Sequence, residues 1–227
     1  MVTLYKFTKN SKNMATADKP MKYDANHIIG VHELKRNIKG EILSKLTNAT
    51  GILENKYVDF LEIHRDALEL RGEYWNEEEL KMNFLAHLFF VAEIREENKI
   101  DIFFERTLSW EFNGKTERVI CDCLLAKPFG IYAPALPYFF LQEFKKQKQN
   151  EDAEGQMLLA MLIAQQENND EKPIFGCYLQ GKNWVFTTLH GKNYCVTRQF
   201  DATQKDDLLQ IIFILRELKK VILTELS

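Results

Sequence analysis

The chain has 227 residues, of which 45% are hydrophobic and 28% charged, with 30 Lys and Arg against 33 Asp and Glu and a formal net charge of −3. That length accommodates one large α/β domain with a substantial core, or one domain with a helical appendage, and the near-neutral balance excludes a basic coat over the whole surface, so any basic face is local. Glu, Lys, Arg or His interrupts every apolar run, which excludes a membrane-spanning helix, and Met1 to Phe7 lacks the apolar stretch of a secretory leader, so the expected address is the cytoplasm.

In chain order, residues 1 to about 30 are polar and weakly patterned, reading as an early strand and a loose arm. Leu34, Ile38, Ile42 and Leu46 recur every four residues and predict one amphipathic helix over about 32–47. A second helix is predicted over about 54–70, with Tyr57, Phe60, Leu61, Leu68 and Leu70 apolar and Gly72 at its end. A third starts near Asn76, where Asn76 followed by Glu79 has the capping-box pattern and Glu77, Glu78 and Glu79 suit the positive end of the helix dipole. Its apolar residues, Leu80, Phe84, Leu85, Leu88, Phe89 and Val91, cover a wide arc that calls for burial against a sheet.

From Ile102 the pattern changes to strands. Residues 102–112 and 117–125 form a predicted hairpin about Asn113-Gly114, and a loop from Pro128 to Pro137 leads to a third strand ending in Gln142-Glu143-Phe144-Lys145. A helix follows, apolar almost all round from Met157 to Ala164, then strands over 174–179, 184–189 and 194–200, and a closing amphipathic helix over about 203–223. This order predicts an α/β fold, a mixed central sheet flanked by helices.

The four cysteines lack paired C-x-x-C spacing and read as reduced thiols rather than zinc ligands, and no two histidines share metal-ligand spacing on a helix. The chemistry instead gathers at Asp122, inside the apolar run 119–125, and at the end of the third strand. There Leu141, Glu143 and Lys145 share one face while Gln142 and Phe144 take the other. Glu-x-Lys recurs at 33, 54, 79, 97 and 217, but only the copy at Glu143 ends a strand-like apolar run directly after a strand with an embedded acid. Aspartate is disfavoured in strands, and a carboxylate in an apolar run needs a partner. Two acids and a lysine converging from neighbouring strands can hold a hard divalent cation and cut phosphodiesters, whereas a sheet-edge ion pair and a backbone-satisfied aspartate are the structural alternative.

From about Asn76 to Phe200 this arrangement resembles the PD-(D/E)XK nuclease superfamily, with some likeness to the nuclease branch found in type I restriction subunits. The resemblance implies a restriction-endonuclease-like fold with N-terminal helices: residues 1–75 an arm and helices packed on the core, residues 76–227 the nuclease-like domain. It implies Asp122, Glu143, Lys145 and Gln156 as catalytic residues, and Asp122, Glu143 and Glu77 as ligands of Mg²⁺ or Mn²⁺. DNA is the implied substrate, in restriction or repair, with a homodimer or a larger complex as the assembly and no membrane partner. The chain departs from the pattern in having Cys121 where the family has proline and Lys81 where the first-helix match has arginine. The alternative is a catalytically inactive nuclease-fold module that binds nucleic acid or protein.

Overall fold

The computed structural model describes residues 23–37, 40–145 and 152–225, without the side chains of Leu141, Lys145 and Glu225. Helix α1 (Ala25–Val31) forms where a loose arm was expected, and the span of the expected helix over 32–47 holds strand β1 (Lys35–Asn37) and a shorter α2 (Glu41–Thr47) instead. The fourfold spacing misleads because its members do not share a stripe. Leu34 packs in one hydrophobic cluster and Leu46 in another, while Ile42 is exposed. The chain crosses the edge of the sheet between them, and β1 pairs in parallel with β7 as it passes. The stretch before residue 23, including the expected early strand, lies outside the described residues.

Helix α3 (Asn55–Arg71) buries Leu61 and Leu68, whereas Leu70 points outward. Helix α4 (Glu77–Leu80) opens on a full capping box: the Asn76 side chain accepts from the Glu79 N–H at 2.8 Å, and Glu79 Oε2 accepts from the Asn76 N–H at 2.7 Å. Asn76→Ala should cost about 1 kcal/mol, read as a lowered denaturation midpoint. The helix passes through a π-turn, Lys81–Leu85, into α5 (Ala86–Ala92), which ends where Glu93 turns left-handed at φ 54°.

Strands β2 (Asp101–Phe112), β3 (Lys115–Phe129) and β4 (Ala133–Lys145) form an antiparallel meander. Asn113 and Gly114 have φ of 49° and 73°, the left-handed pair that a two-residue hairpin of matching twist requires. The expected Pro128–Pro137 loop is mostly strand. Pro128 pairs opposite Pro134, and register shifts around Ala126 absorb prolines that cannot donate to a regular ladder.

Helix α6 (Ala153–Asn168) carries the chain over to β5 (Ile174–Gln180), which pairs in parallel with β4. Every residue from Met157 to Ala164 is buried. Strands β6 (Asn183–His190) and β7 (Asn193–Val196) follow as hairpins. The expected strand over 194–200 breaks after Val196, and the separate β8 (Phe200–Asp201) also pairs with β6. At the break the Thr197 hydroxyl accepts from the Phe186 N–H, and Arg198 turns away to Asp207. Helix α7 (Lys205–Glu225) closes the chain.

The eight strands run in the order β1-β7-β6-β5-β4-β3-β2, with β8 off that path. One face is covered by α1 and α6, whose Ile28 and Met157 to Ala164 pack with Phe103, Val119 and Leu124. The other is covered by α2, α3, α4–α5 and α7. No helix among the described residues is long and apolar enough to cross a membrane.

Candidate active site

The site forms where the ladders of β2, β3 and β4 are interrupted together. β2 and β3 pair continuously from Asp101↔Ala126 to Phe112↔Lys115 except at one place, where Glu105 would face Asp122. Glu105 sits there with φ 53°. Val119 and Cys121 share a cluster with Leu124 and Ala126, and Leu108 shares it with Phe103. Residues of odd and even number can bury on the same face only if the alternation slips between them. Both strands therefore change phase at Glu105 and Asp122.

That slip directs the Asp122 carboxylate at the neighbouring strand. Its Oδ2 accepts from the Phe144 N–H at 2.7 Å, and the pairing of β3 with β4 starts one residue later, at Cys123↔Gln142. A side chain takes the place of a ladder carbonyl at the point where the two strands part. Glu143, the residue before Phe144, is fully buried, and across β4 it pairs with Tyr178 of β5. Burial pushes the Cys121 thiol well up, with Glu143 adding to the effect. Burial and then Asp122 do the same to the Cys123 thiol, while Lys81 works against them. Both acids thus act on the two thiols that flank Asp122. All four cysteines of the chain are unbridged and buried.

Lys81 approaches from the helical side. Only 7% of it is exposed, and its Nζ lies 2.5 Å from Glu105 Oε1, 2.8 Å from Glu78 Oε1 and 5.7 Å from the centre of the Phe144 ring. Burial alone would lower the pKa of this ammonium. The hydrogen bonds to Glu105 and Glu78 outweigh burial, and the Asp122 charge adds to them, so the pKa is raised above the ordinary lysine value. The π-turn places it there, and such turns, rare in general, are frequent at functional sites.

Of the three helix glutamates, Glu79 belongs to the capping box, Glu78 grips Lys81, and Glu77 is half-buried. Among the described residues no three His, Cys, Asp or Glu side chains form a metal-ligating group, so the structure does not bring Glu77 together with Asp122 and Glu143 as one set. Gln156 is buried on the first turn of α6, and its Nε2 donates to the Ile120 carbonyl at 3.0 Å, two residues before Asp122. Lys145 ends β4 opposite Gln180, with its side chain outside the described part.

Sequence reasoning missed the ion-pair group that Lys81 forms with Glu78 and Glu105, whose ammonium feels the charge of Asp122. A signal was present: Lys81, Phe84, Leu85 and Leu88 are spaced as one helical face, so the lysine stands on the arc that must be buried. The left-handed Glu105 left no such mark.

The arrangement fits a hard divalent cation in one respect. Asp122 and Glu143 are oxygen donors on adjacent strands, and Mg²⁺ characteristically takes one or two carboxylates and fills its remaining positions with water and substrate phosphate. The chain matches no protein-family model and no curated protein sequence.

Proposed function

We propose that the protein is a divalent-cation-dependent nuclease that hydrolyses DNA phosphodiester bonds, built on a restriction-endonuclease-like core. The element order supports this reading: an acidic capped helix, three antiparallel strands, a buried helix and a strand returning parallel to the third. One observation carries it. The Asp122 carboxylate sits on the backbone amide that follows Glu143, where their strands separate.

Asp122 and Glu143 would hold Mg²⁺ or Mn²⁺ between them, with water and substrate oxygens filling the remaining positions. When bound, such a cation lowers the pKa of a water and neutralises charge on the scissile phosphate. Lys145, two residues beyond Glu143 on the same strand, would hold the attacking water and the phosphate oxygens by charge-assisted hydrogen bonds. Gln156 positions the strand: its grip on the Ile120 carbonyl fixes the backbone that carries Asp122. Restriction or repair of DNA, by a homodimer or within a larger complex, is the setting this chemistry suits.

Purified protein should nick circular DNA with Mg²⁺ or Mn²⁺ and stop with chelator. Glu143→Gln should lower the rate about 100-fold or more. Equal cleavage by wild type and Glu143→Gln would exclude this site as the source.

A second reading is an inactive nuclease-fold module that binds nucleic acid or protein. The near-neutral charge favours it: 30 Lys and Arg against 33 Asp and Glu give no general basic face of the kind a DNA-cutting surface usually shows. Calorimetry separates the two: Mn²⁺ binding that disappears in Glu143→Gln belongs to the nuclease.

A further inference from the structure

Lys81 plays no part in the strand-acid scheme, yet four features converge on it. It is a nearly buried ammonium, delivered by a π-turn, held by two carboxylates from different elements, and directed toward the face of Phe144, whose N–H holds Asp122. One of its holders, Glu105, has a left-handed backbone and stands across the skipped ladder position from Asp122. Strained backbone of this kind costs about 1–3 kcal/mol and persists where surrounding structure enforces it.

The two holders differ from Asp122 in a way that matters. The Glu78 and Glu105 side chains are 75% and 55% exposed, whereas only 5% of Asp122 is. The ammonium therefore stands between a water-facing pair of acids and an inner one. A cation bound at Asp122 would meet this fixed positive charge across a medium that screens poorly.

We propose that Lys81 is a positioning residue of this site, whose ammonium competes with a divalent cation for the field of Asp122, and that Glu78 and Glu105 draw the ammonium outward so that the cation can bind. The inference rests on the metal-dependent reading above and adds to it a control of cation affinity. It predicts opposite signs for two substitutions within one ion-pair group. Removing the ammonium relieves repulsion at Asp122. Neutralising an outer acid leaves the ammonium to depend on Asp122 and strengthens the competition. Glu105 would also attract a cation directly, so the double variant Lys81→Met/Glu105→Gln separates the two effects: acting through the ammonium, Glu105→Gln changes nothing once Lys81 is gone.

The test is isothermal titration of the full chain with Mn²⁺ alone. Lys81→Met should bind about tenfold more tightly than wild type, Glu105→Gln several-fold more weakly, and Lys81→Arg close to wild type. Circular dichroism checks that each variant is folded. Should Lys81→Met not fold, Lys81→Gln takes its place in the single and double variants, and unchanged or tighter binding by Glu105→Gln overturns the competition. Unchanged affinity in both variants, or shifts of the same sign, also overturns it while leaving the metal site intact. Failure of the underlying reading looks different: wild type binds no Mn²⁺, or binds it equally well as Asp122→Asn, and the competition falls with it.

Discussion

On the proposed nuclease reading, Asp122→Asn is expected to lower DNA cleavage to at least about 100-fold below wild type and to leave the fold standing. The asparagine amide oxygen can still accept from the Phe144 N–H, which now lies 2.7 Å from Oδ2, so the tie between β3 and β4 survives in neutral form. Losing the charge from that hydrogen bond costs about 1 kcal/mol. What disappears is one of the two negative charges that a divalent cation would require. Asp122→Ala is the harsher control. It leaves the Phe144 N–H without its acceptor in a buried place and should cost about 2–3 kcal/mol. Single-turnover cleavage and thermal melting on both variants separate the two roles of the carboxylate. Full cleavage by a folded Asp122→Asn would remove Asp122 from the chemistry.

The second large effect is expected from Gly155→Ala, on the first turn of α6. A methyl group there would lie 2.3 Å from the Tyr23 carbonyl oxygen and 2.7 Å from the Ala25 nitrogen. Both are backbone atoms and cannot rotate aside. Alanine is favoured over glycine within a helix by about 1 kcal/mol, but the displacement it forces outweighs that gain. The start of α1 must also leave Asp152, whose Oδ2 accepts from the Ala25 N–H at 2.7 Å. A net loss of about 2–3 kcal/mol is expected, measured by denaturant unfolding. Since Gln156 follows directly and holds the strand of Asp122, cleavage should fall as well. A variant as stable as wild type would show that α1 is not seated on α6 in solution.

Local patterns were legible wherever one periodicity served one face. The capping box at Asn76, the left-handed Asn113-Gly114 turn and the all-apolar middle of α6 each follow from side-chain chemistry within a few residues. Legibility failed where the chain changes faces. The spacing from Leu34 to Leu46 resembles one helix, yet the segment passes a sheet edge and buries its two ends in different clusters. The Pro128–Pro137 region reads as loop because prolines interrupt ladders, and here bulges accommodate them. At the site, the apolar run around Asp122 marked an acid that needs a partner. The partner itself, a backbone N–H on β4, and the lysine from a distant helix that feels the acid's charge depend on a phase slip in two paired strands. No single-strand pattern encodes that slip.

The π-turn sets an angular relation between the two ends of its helix. Each residue of an α-helix advances the chain by about 100°, so widening one turn by a residue rotates everything before it relative to everything after. Leu88, Val91 and Ala92 face the sheet under one rotation, while Asn76 to Lys81 are indexed by the other. Excising the exposed Met82 would return the segment to an ordinary screw. The capped end would then swing by roughly a quarter-turn and carry the ammonium away from Glu105, with Leu88, Phe89, Val91 and Ala92 of α5 still in place. The widened turn thus lets a single rod serve the hydrophobic interior at one end and the charged gap between strands at the other.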